Sequence, residues 1–548
     1  MKRKQASKKC IRAVSMLSAL VMFTATVFTG CGNSAGGQEG SVGTTEGSEE
    51  ILKIGIVNKG YGDEFSYKLA EAFEKKTGIV TEVVKSSSAS WTENVIKSGA
   101  KNNDIDVFFD IGEGLMKNLA VKNYLQGYDR AYVDLSDIYD EKLEGYNTDK
   151  TLEEMVFPYS LAACTWGGEE EGYGDGKQYF VNWATGMEGL MYNVGLFEKY
   201  NLSIPKTTNE MFELLEQMKT LNNGSYAENN DGRKIYPFAY SGKVNYLNYP
   251  ATVWMAQYDG IDTFNNTLKG KDADGNYSPE SAKTAGRLSA LQIVGELLDQ
   301  EHKYSDSNST SQSFTNVQVL FLDEQAFMMS TGDWLEREMS SNFESGANVA
   351  FMSIPMNSDV VNNCTTVKTD EQLSEVVSYI DGELTERPAY VSDEDLAYLK
   401  SARSMYCCEG NQHVAYIPAY SNNIEAGKKF LQFMLSKEGQ EIMLEYAYGN
   451  MAMLNVDISE FDYYDSLSQL QQSKYSILYN ATMVGNNYVH PMNYAGGVKI
   501  WYGDTLENVF GTVKTSASYK TPLKVFQDTY SDVSKQWSEW VTKAGVSN

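Results

Sequence analysis

Histidine is almost missing from this chain. The three residues, His302, His413 and His490, are widely separated and lack metal-ligand spacing. There is no HExxH and no paired CxxC, so the usual sequence patterns of a zinc site are absent. No Gly-x-x-x-x-Gly-Lys-[Ser/Thr] loop is available to cradle a nucleotide phosphate. Cysteine is sparse too. Of six, Cys10 and Cys31 lie near the N-terminus, leaving Cys164, Cys364, Cys407 and Cys408. A bridge between adjacent Cys407 and Cys408 strains the peptide joining them; pairing of either with Cys164 or Cys364, or four free thiols, are all open. Basic charge is short as well: 46 Lys and Arg face 73 Asp and Glu, a net charge of −27. Nucleic acid and anionic membrane surfaces repel such a chain, which argues against both as partners. No cofactor and no metal are expected.

Long apolar runs are equally scarce, apart from one near the start. Residues 2–12 carry Lys2, Arg3, Lys4, Lys8, Lys9 and Arg12 without an acid, and residues 13–29 are apolar or small. A basic stretch, an apolar stretch and a small-residue exit read as a secretory signal peptide over 1–30. The run is marginal for a membrane span and lacks charged stop-transfer residues behind it. Phe28-Thr29-Gly30-Cys31 resembles a bacterial lipobox, with Phe where Leu is commoner. The resemblance implies a lipidated Cys31 carrying a diacylglycerol thioether and an N-acyl chain such as palmitate. More than one chain at about 0.8 kcal/mol per buried CH₂ anchors stably. Removing residues 1–30 takes away six basic charges, so the mature net charge is −33 (−27 minus 6). Residues 31–50 then form a flexible tether of Gly, Ser, Thr and Glu, with a reach of roughly 25 Å.

Folded structure is expected from Ile51 onward. Ile51–Val57, Ile79–Val84 and Ile105–Ile111 are continuous apolar runs that read as buried strands. Tyr67–Thr77 has helical spacing and stops at Gly78. Strand, helix and strand in alternation point to a parallel sheet with covered faces. Gly189–Tyr192 and Gln325–Ser330 read as further strands, and Ser281–Gln300, Ile424–Leu435 and Lys437–Tyr446 as helices. Thr207 and Glu210 fit a capping box. Two stretches imitate calcium loops, Asp272–Asn276 and Asn229–Gly232, and both read as surface turns. About 500 residues exceed one ordinary core, so two lobes are expected.

Several segments in order resemble one family. They are Asp104-Ile-Asp-Val-Phe-Phe-Asp110, Gly186-Met-Glu-Gly-Leu-Met-Tyr-Asn193 with Leu196-Phe197, and Pro205-x-Thr-x-x-Glu210. Glu324-Gln-Ala-Phe-Met-Met-Ser-Thr-Gly-Asp-Trp334 and Ser421–Gln440 continue the series. Together they are similar to extracellular solute-binding proteins of family 1, the substrate receptors of ABC importers, often for sugars. The likeness covers about residues 51–450; 357–410 looks like an insertion and 451–548 matches loosely.

The resemblance implies an α/β, two-lobe, periplasmic-binding-protein-like fold of type II, with the ligand cleft between lobes. The first lobe is expected from 51–180 and 357–450, the second from 181–356 and 451–548. Asp110 and Glu113 follow the third strand, where open α/β sheets bind ligands. Trp183 and Glu188 flank the first crossing, and Asp333 and Trp334 end a second-lobe strand at a position that commonly faces the ligand. Trp254, Tyr494 and Trp501 are aromatics near expected cleft loops. Carboxylates accept hydrogen bonds from sugar hydroxyls, and Trp faces cover sugar C–H surfaces. Each residue also has a structural use: Asp110 and Glu113 as helix caps, Trp183 and Trp334 packed beside small-residue turns, Trp254 in the core, Glu188 at the hinge. The expectation is a monomeric, non-enzymatic carbohydrate receptor, closing on an oligosaccharide and docking on ABC permease subunits at a Gram-positive surface. The alternative, a surface-anchored glycoside hydrolase, requires a placed carboxylate pair that no local motif marks among 73 acids.

Overall fold

The computed structural model describes residues 51–546 apart from 87, 89, 100–103, 112–114, 116, 122–123, 170, 409–412, 486–488, 496–500 and 502–504. The signal peptide, Cys31, the tether and Glu113 lie outside the described residues, as does the side chain of Tyr494. The strands are Leu52–Val57 (β1), Thr81–Ser86 (β2), Val107–Ile111 (β3), Thr165–Gly168 (β4), Tyr173–Gln178 (β5), Val181–Asn182 (β6), Met187–Asn193 (β7), Tyr236–Ala239 (β8), Ala326–Gly332 (β9), Val349–Phe351 (β10), Met405–Cys408 (β11), His413–Tyr416 (β12) and Thr482–Val484 (β13).

The first lobe is built on a sheet in the order β2-β1-β3-β12-β6. Strands β1, β2 and β3 are parallel, as their spacing predicts. The helix Glu64–Thr77 crosses between the first two and buries Phe65, Leu69 and Phe73, four residues apart along one stripe. It ends where Gly78 takes a left-handed φ of 76°. The remaining strands depart from the expected parallel pattern: β12 runs antiparallel to β3, and β6 antiparallel to β12. The reason is connectivity. Strand β3 runs toward the second lobe and ends at Ile111; β12 starts opposite it at His413, coming back from that lobe.

The second lobe is a mixed sheet in the order β13-β11-β7-β9-β8, with β10 also on β7. Its central strand β7 is antiparallel to β9, β10 and β11. The wholly buried helix face of Asn248–Asp259, with Val253, Trp254 and Met255, packs on it, and Ala285–Leu298 packs in turn on that helix. Thr207 caps the helix Thr208–Met218 by accepting the Glu210 N–H at 3.2 Å, while the Glu210 carboxylate reaches back one residue further, to the Lys206 N–H.

Sheet membership moves one expected boundary. Residues 357–404 do not open the second part of the first lobe. Their helices Asp370–Ile380 and Asp393–Arg403 enclose a small core of Val360, Leu373, Val376 and Leu399. That core docks on Asn248–Asp259, with the Tyr398 hydroxyl donating to Gln257 O at 2.8 Å. Strand β11 then joins the second sheet, so the chain returns to the first sheet at His413 and not at residue 357. No disulfide joins Cys164, Cys364, Cys407 and Cys408, and all four are buried.

The lobes are tied at one buried carboxylate. Asp333 is 0% exposed and follows β9. Its Oδ2 lies 3.1 Å from Lys474 Nζ, accepts from Asn450 Nδ2 at 2.9 Å and lies 3.2 Å from Thr185 Oγ1. Its Oδ1 accepts the hydroxyl proton of Tyr61, from the turn after β1 in the first lobe. Thr185 belongs to the segment between β6 and β7, and Asn450 to the return after the helix Lys437–Tyr446. His413, the first residue of β12, packs on the Tyr61 ring at 5.2 Å. Burial lowers the Lys474 pKa, opposed by the Asp333 charge, and burial pushes His413 down to about 4.

Two outcomes follow from this cluster. Lys474→Met removes the cation that faces the buried Asp333 carboxylate and should cost about 3–5 kcal/mol in urea unfolding, whereas Asp333→Asn/Lys474→Met should recover much of that loss. His413 is neutral when folded and takes a proton on unfolding below its ordinary 6.5. Its contribution is therefore present above pH 6.5 and lost as pH falls toward 4. Across that window the parent should lose about 3 kcal/mol relative to His413→Gln, measured by unfolding midpoints at several pH values.

Candidate functional site

The strand ends that face the other lobe carry two different kinds of surface. One is the Asp333 cluster, whose carboxylate is wholly buried and engaged by protein donors. The other is an aromatic wall of the second lobe. Trp334 directly follows Asp333, and its six-membered ring lies over Gly332, where a Cβ would come within 2.2 Å of it. Tyr246 and Tyr249, on the segment leading from β8 into the helix Asn248–Asp259, stack on each other with centroids 5.8 Å apart. Both rings meet Trp334, at 5.8 and 6.3 Å, and Phe314 stands 6.4 Å from Tyr246. The Ser330 hydroxyl donates to Tyr246 O at 2.6 Å and holds this segment to β9. All four rings are half-buried, so each keeps some surface available. Such rings offer apolar faces with polar edges, a surface suited to the C–H face of a sugar ring.

The other residues singled out from the sequence are placed differently. Asp110 ends β3 but is buried; it accepts the Tyr416 hydroxyl at 3.0 Å and its neighbour Ile111 N–H at 2.8 Å. Burial raises its pKa. Trp183 donates its indole N–H to Asp110 O at 3.1 Å and stacks on Phe65 at 5.2 Å, with Phe109 and His413 against its edges. It is a pillar of the crossing and not an open platform. Glu188 is buried in β7 opposite Gly332 and Cys407. Trp254 is 0% exposed and donates to Pro355 O at 3.0 Å, leaving no face for a solute. Asp333 has protein donors on both oxygens, so it holds the lobes and not a ligand hydroxyl. Trp501 is half-buried, donates to Thr252 Oγ1 at 3.0 Å and lies 5.8 Å below the Arg287 guanidinium.

Tyr61, Asn450, Lys474, Tyr246 and Tyr249 escaped the sequence reading. Tyr246 and Tyr249 left a usable trace, two tyrosines three residues apart at the head of the apolar YPATVWMAQY run. Lys474 left none, because an ordinary Lys in a helical segment gives no hint that its ammonium is buried. On the crossing side of the Asp333 cluster lies a cavity of about 200 Å³ lined by Phe157, Thr185, Leu454, Tyr464, Tyr475 and Tyr479, which includes none of the aromatic wall. No helix among the described residues is long and apolar enough to cross a membrane.

The architecture has known counterparts. The chain is similar to an ABC transporter solute-binding protein from Thermotoga lettingae bound with α-D-tagatose, at 16% identity and TM-score 0.56, covering 89% of this chain and 100% of that one. It is similar to an ABC substrate-binding protein from Listeria monocytogenes in complex with cycloalternan, at 13% identity and TM-score 0.52, covering 89% and 99%. The solute-binding protein RafE in complex with raffinose matches at 14% identity and TM-score 0.51, over 88% and 100%. At these identities the likeness carries the fold, two lobes around a cleft. A search of curated proteins gave no match. The sequence itself goes further: residues 68–456 match the profile of the bacterial extracellular solute-binding proteins, and the chain belongs to that family.

Proposed function

We propose that this protein is a lipid-anchored receptor that captures a neutral carbohydrate, an oligosaccharide in particular, and presents it to an ABC importer by lobe closure. The observation that carries the reading is the wall of Trp334, Tyr246, Tyr249 and Phe314 at the strand ends beside the point where the lobes meet. Three structural relatives hold tagatose, cycloalternan and raffinose, which favours a sugar over a peptide or an ion. A net charge of −27 disfavours an anionic solute. Trp501 and Tyr494, with Glu113 from outside the described residues, stay in the proposed contact set on the strength of the family resemblance alone. Membership of a solute-binding family supports a role in which the ligand leaves unchanged.

Closure supplies the signal. A ligand touching both lobes stabilises the closed form by its differential affinity for the two states. Moving a largely open receptor from about 1:99 to 99:1 closed takes roughly 5.5 kcal/mol. Several stacked rings at about 0.5–1.5 kcal/mol each, with hydrogen bonds to sugar hydroxyls, reach that figure. Cys31 and the tether keep the closed receptor near its permease and raise its local concentration there.

Isothermal titration with raffinose, cycloalternan, xylo-oligosaccharides, polyols and peptides should give one-to-one binding to one sugar class, with the sugar recovered intact; binding to none overturns the assignment, and cleavage products favour a hydrolase. Trp334→Ala should weaken the bound sugar roughly tenfold, the loss of about 1.4 kcal/mol of stacking, and an unchanged affinity removes Trp334 from the site. Mass spectrometry of the mature N-terminus should find a diacylglyceryl-modified Cys31, and Cys31→Ala should release the protein into the medium. An unmodified N-terminus at another residue would count against the anchor.

A further inference from the structure

The hairpin of β4 and β5 joins neither main sheet. Its sequence, residues 165–178, is unusual: Gly167, Gly168, Gly172, Gly174 and Gly176 alternate with acids and one Tyr. All five glycines have positive φ. At two of them no other residue fits, because a Cβ on Gly167 would stand 2.1 Å from Tyr173 O, and one on Gly174 2.1 Å from Trp166 O. The glycines let the two backbones approach closely and make a thin, strongly bent ribbon.

The root of this ribbon belongs to the first lobe. Leu135 N–H donates to Gln178 O at 2.8 Å, Arg130 pairs with Asp175 at 3.0 Å, and Lys177 pairs with Asp134. Its tip rests on the second lobe. Both carboxylate oxygens of Glu171 accept from Lys269 Nζ, at 2.7 and 2.8 Å, just past the helix Ile261–Leu268. The Tyr173 ring meets the edge of His490 at 5.1 Å, and His490 lies 3.3 Å from the Tyr277 hydroxyl. His490 is buried and its Nδ1 accepts the Met492 N–H at 3.2 Å, capping the helix Pro491–Tyr494. Immediately after it, the helix Pro491–Tyr494 meets Lys117–Ala120, the helix that follows the β3 end loop. The tip therefore sits beside a second interlobe contact, remote in sequence from the crossings and on the strand-end side where the solute is proposed to enter.

We propose that the glycine-rich hairpin is a strap that fastens the two lobes across the cleft mouth and sets how long a bound solute stays. Opening about the Asp333 cluster must part Glu171 from Lys269 and Tyr173 from His490. The Glu171–Lys269 pair is half-exposed and individually weak, and Tyr173 reaches His490 through a single ring contact, which suits a fastening that is made and released in each cycle. The part concerning solute residence rests on the proposed sugar receptor; the fastening itself does not.

The test compares parent, Glu171→Lys, Glu171→Lys/Lys269→Glu and Tyr173→Ala as full chains. Hydrogen exchange should quicken in residues 165–178 of Glu171→Lys and Tyr173→Ala, leave β1, β3 and β7 unchanged, and return to the parent rate in the double reversal. Raffinose, or whichever panel sugar binds the parent, should leave the single variants roughly tenfold faster by stopped flow, the effect of about 1.4 kcal/mol. Its arrival rate should not change, since a neutral sugar is not steered by charge. Unchanged exchange in both single variants overturns the strap. Faster exchange with an unaltered release rate overturns its control of residence. If no sugar binds the parent, the receptor reading fails, and the exchange pattern with its rescue still decides the strap.

Discussion

A single carboxylate, Asp333, is where the two halves of this protein are made into one. Taking it out of water costs several kcal/mol, which is offset because both of its oxygens meet protein donors and one of them faces a buried ammonium. Those donors come from the first lobe (Tyr61), from two of the segments joining the lobes (Thr185 and Asn450) and from a second-lobe helix (Lys474). The buried ion pair contributes position more than stability. A carboxylate that accepts from four directions fixes the relative placement of the segments that carry the donors, and so fixes where the strand ends of one lobe face those of the other.

The same economy explains why so few of the acids look functional. Asp110 and Asp333 stand at strand ends, where a ligand carboxylate belongs in an open α/β sheet, yet both are spent on internal hydrogen bonds. In the proposed receptor, recognition then falls to surfaces that tolerate solvent on one side and a sugar ring on the other. Trp334, Tyr246 and Tyr249 meet that condition because Gly332 leaves room for the Trp334 ring and Ser330 holds the Tyr246 segment beside it, with part of each ring uncovered.

Much of the scaffold was legible from local pattern. The β1–helix–β2 unit, the helices Ile424–Leu435 and Lys437–Tyr446 and the Thr207 cap all lie where periodicity and capping chemistry put them. What could not be read was long-range pairing. The antiparallel insertion of β12 beside β3 and the attachment of 357–404 to the second lobe depend on which edge of which sheet is free, and no window of a dozen residues carries that information. Trp183 and Trp254 illustrate the same limit: a Trp near a turn reads identically whether its face is open or pressed on Phe65 or the core.

The sequence by itself determined the class of molecule: an acidic chain with ordered segments shared with a solute-binding family. These are local or compositional properties, and they survive without knowing any contact. Only the tertiary structure decided which polar and aromatic residues are free to meet a solute. Burial is a property of the whole fold, and Asp333, Lys474 and Trp254 are 0% exposed for reasons that lie a hundred or more residues away along the chain.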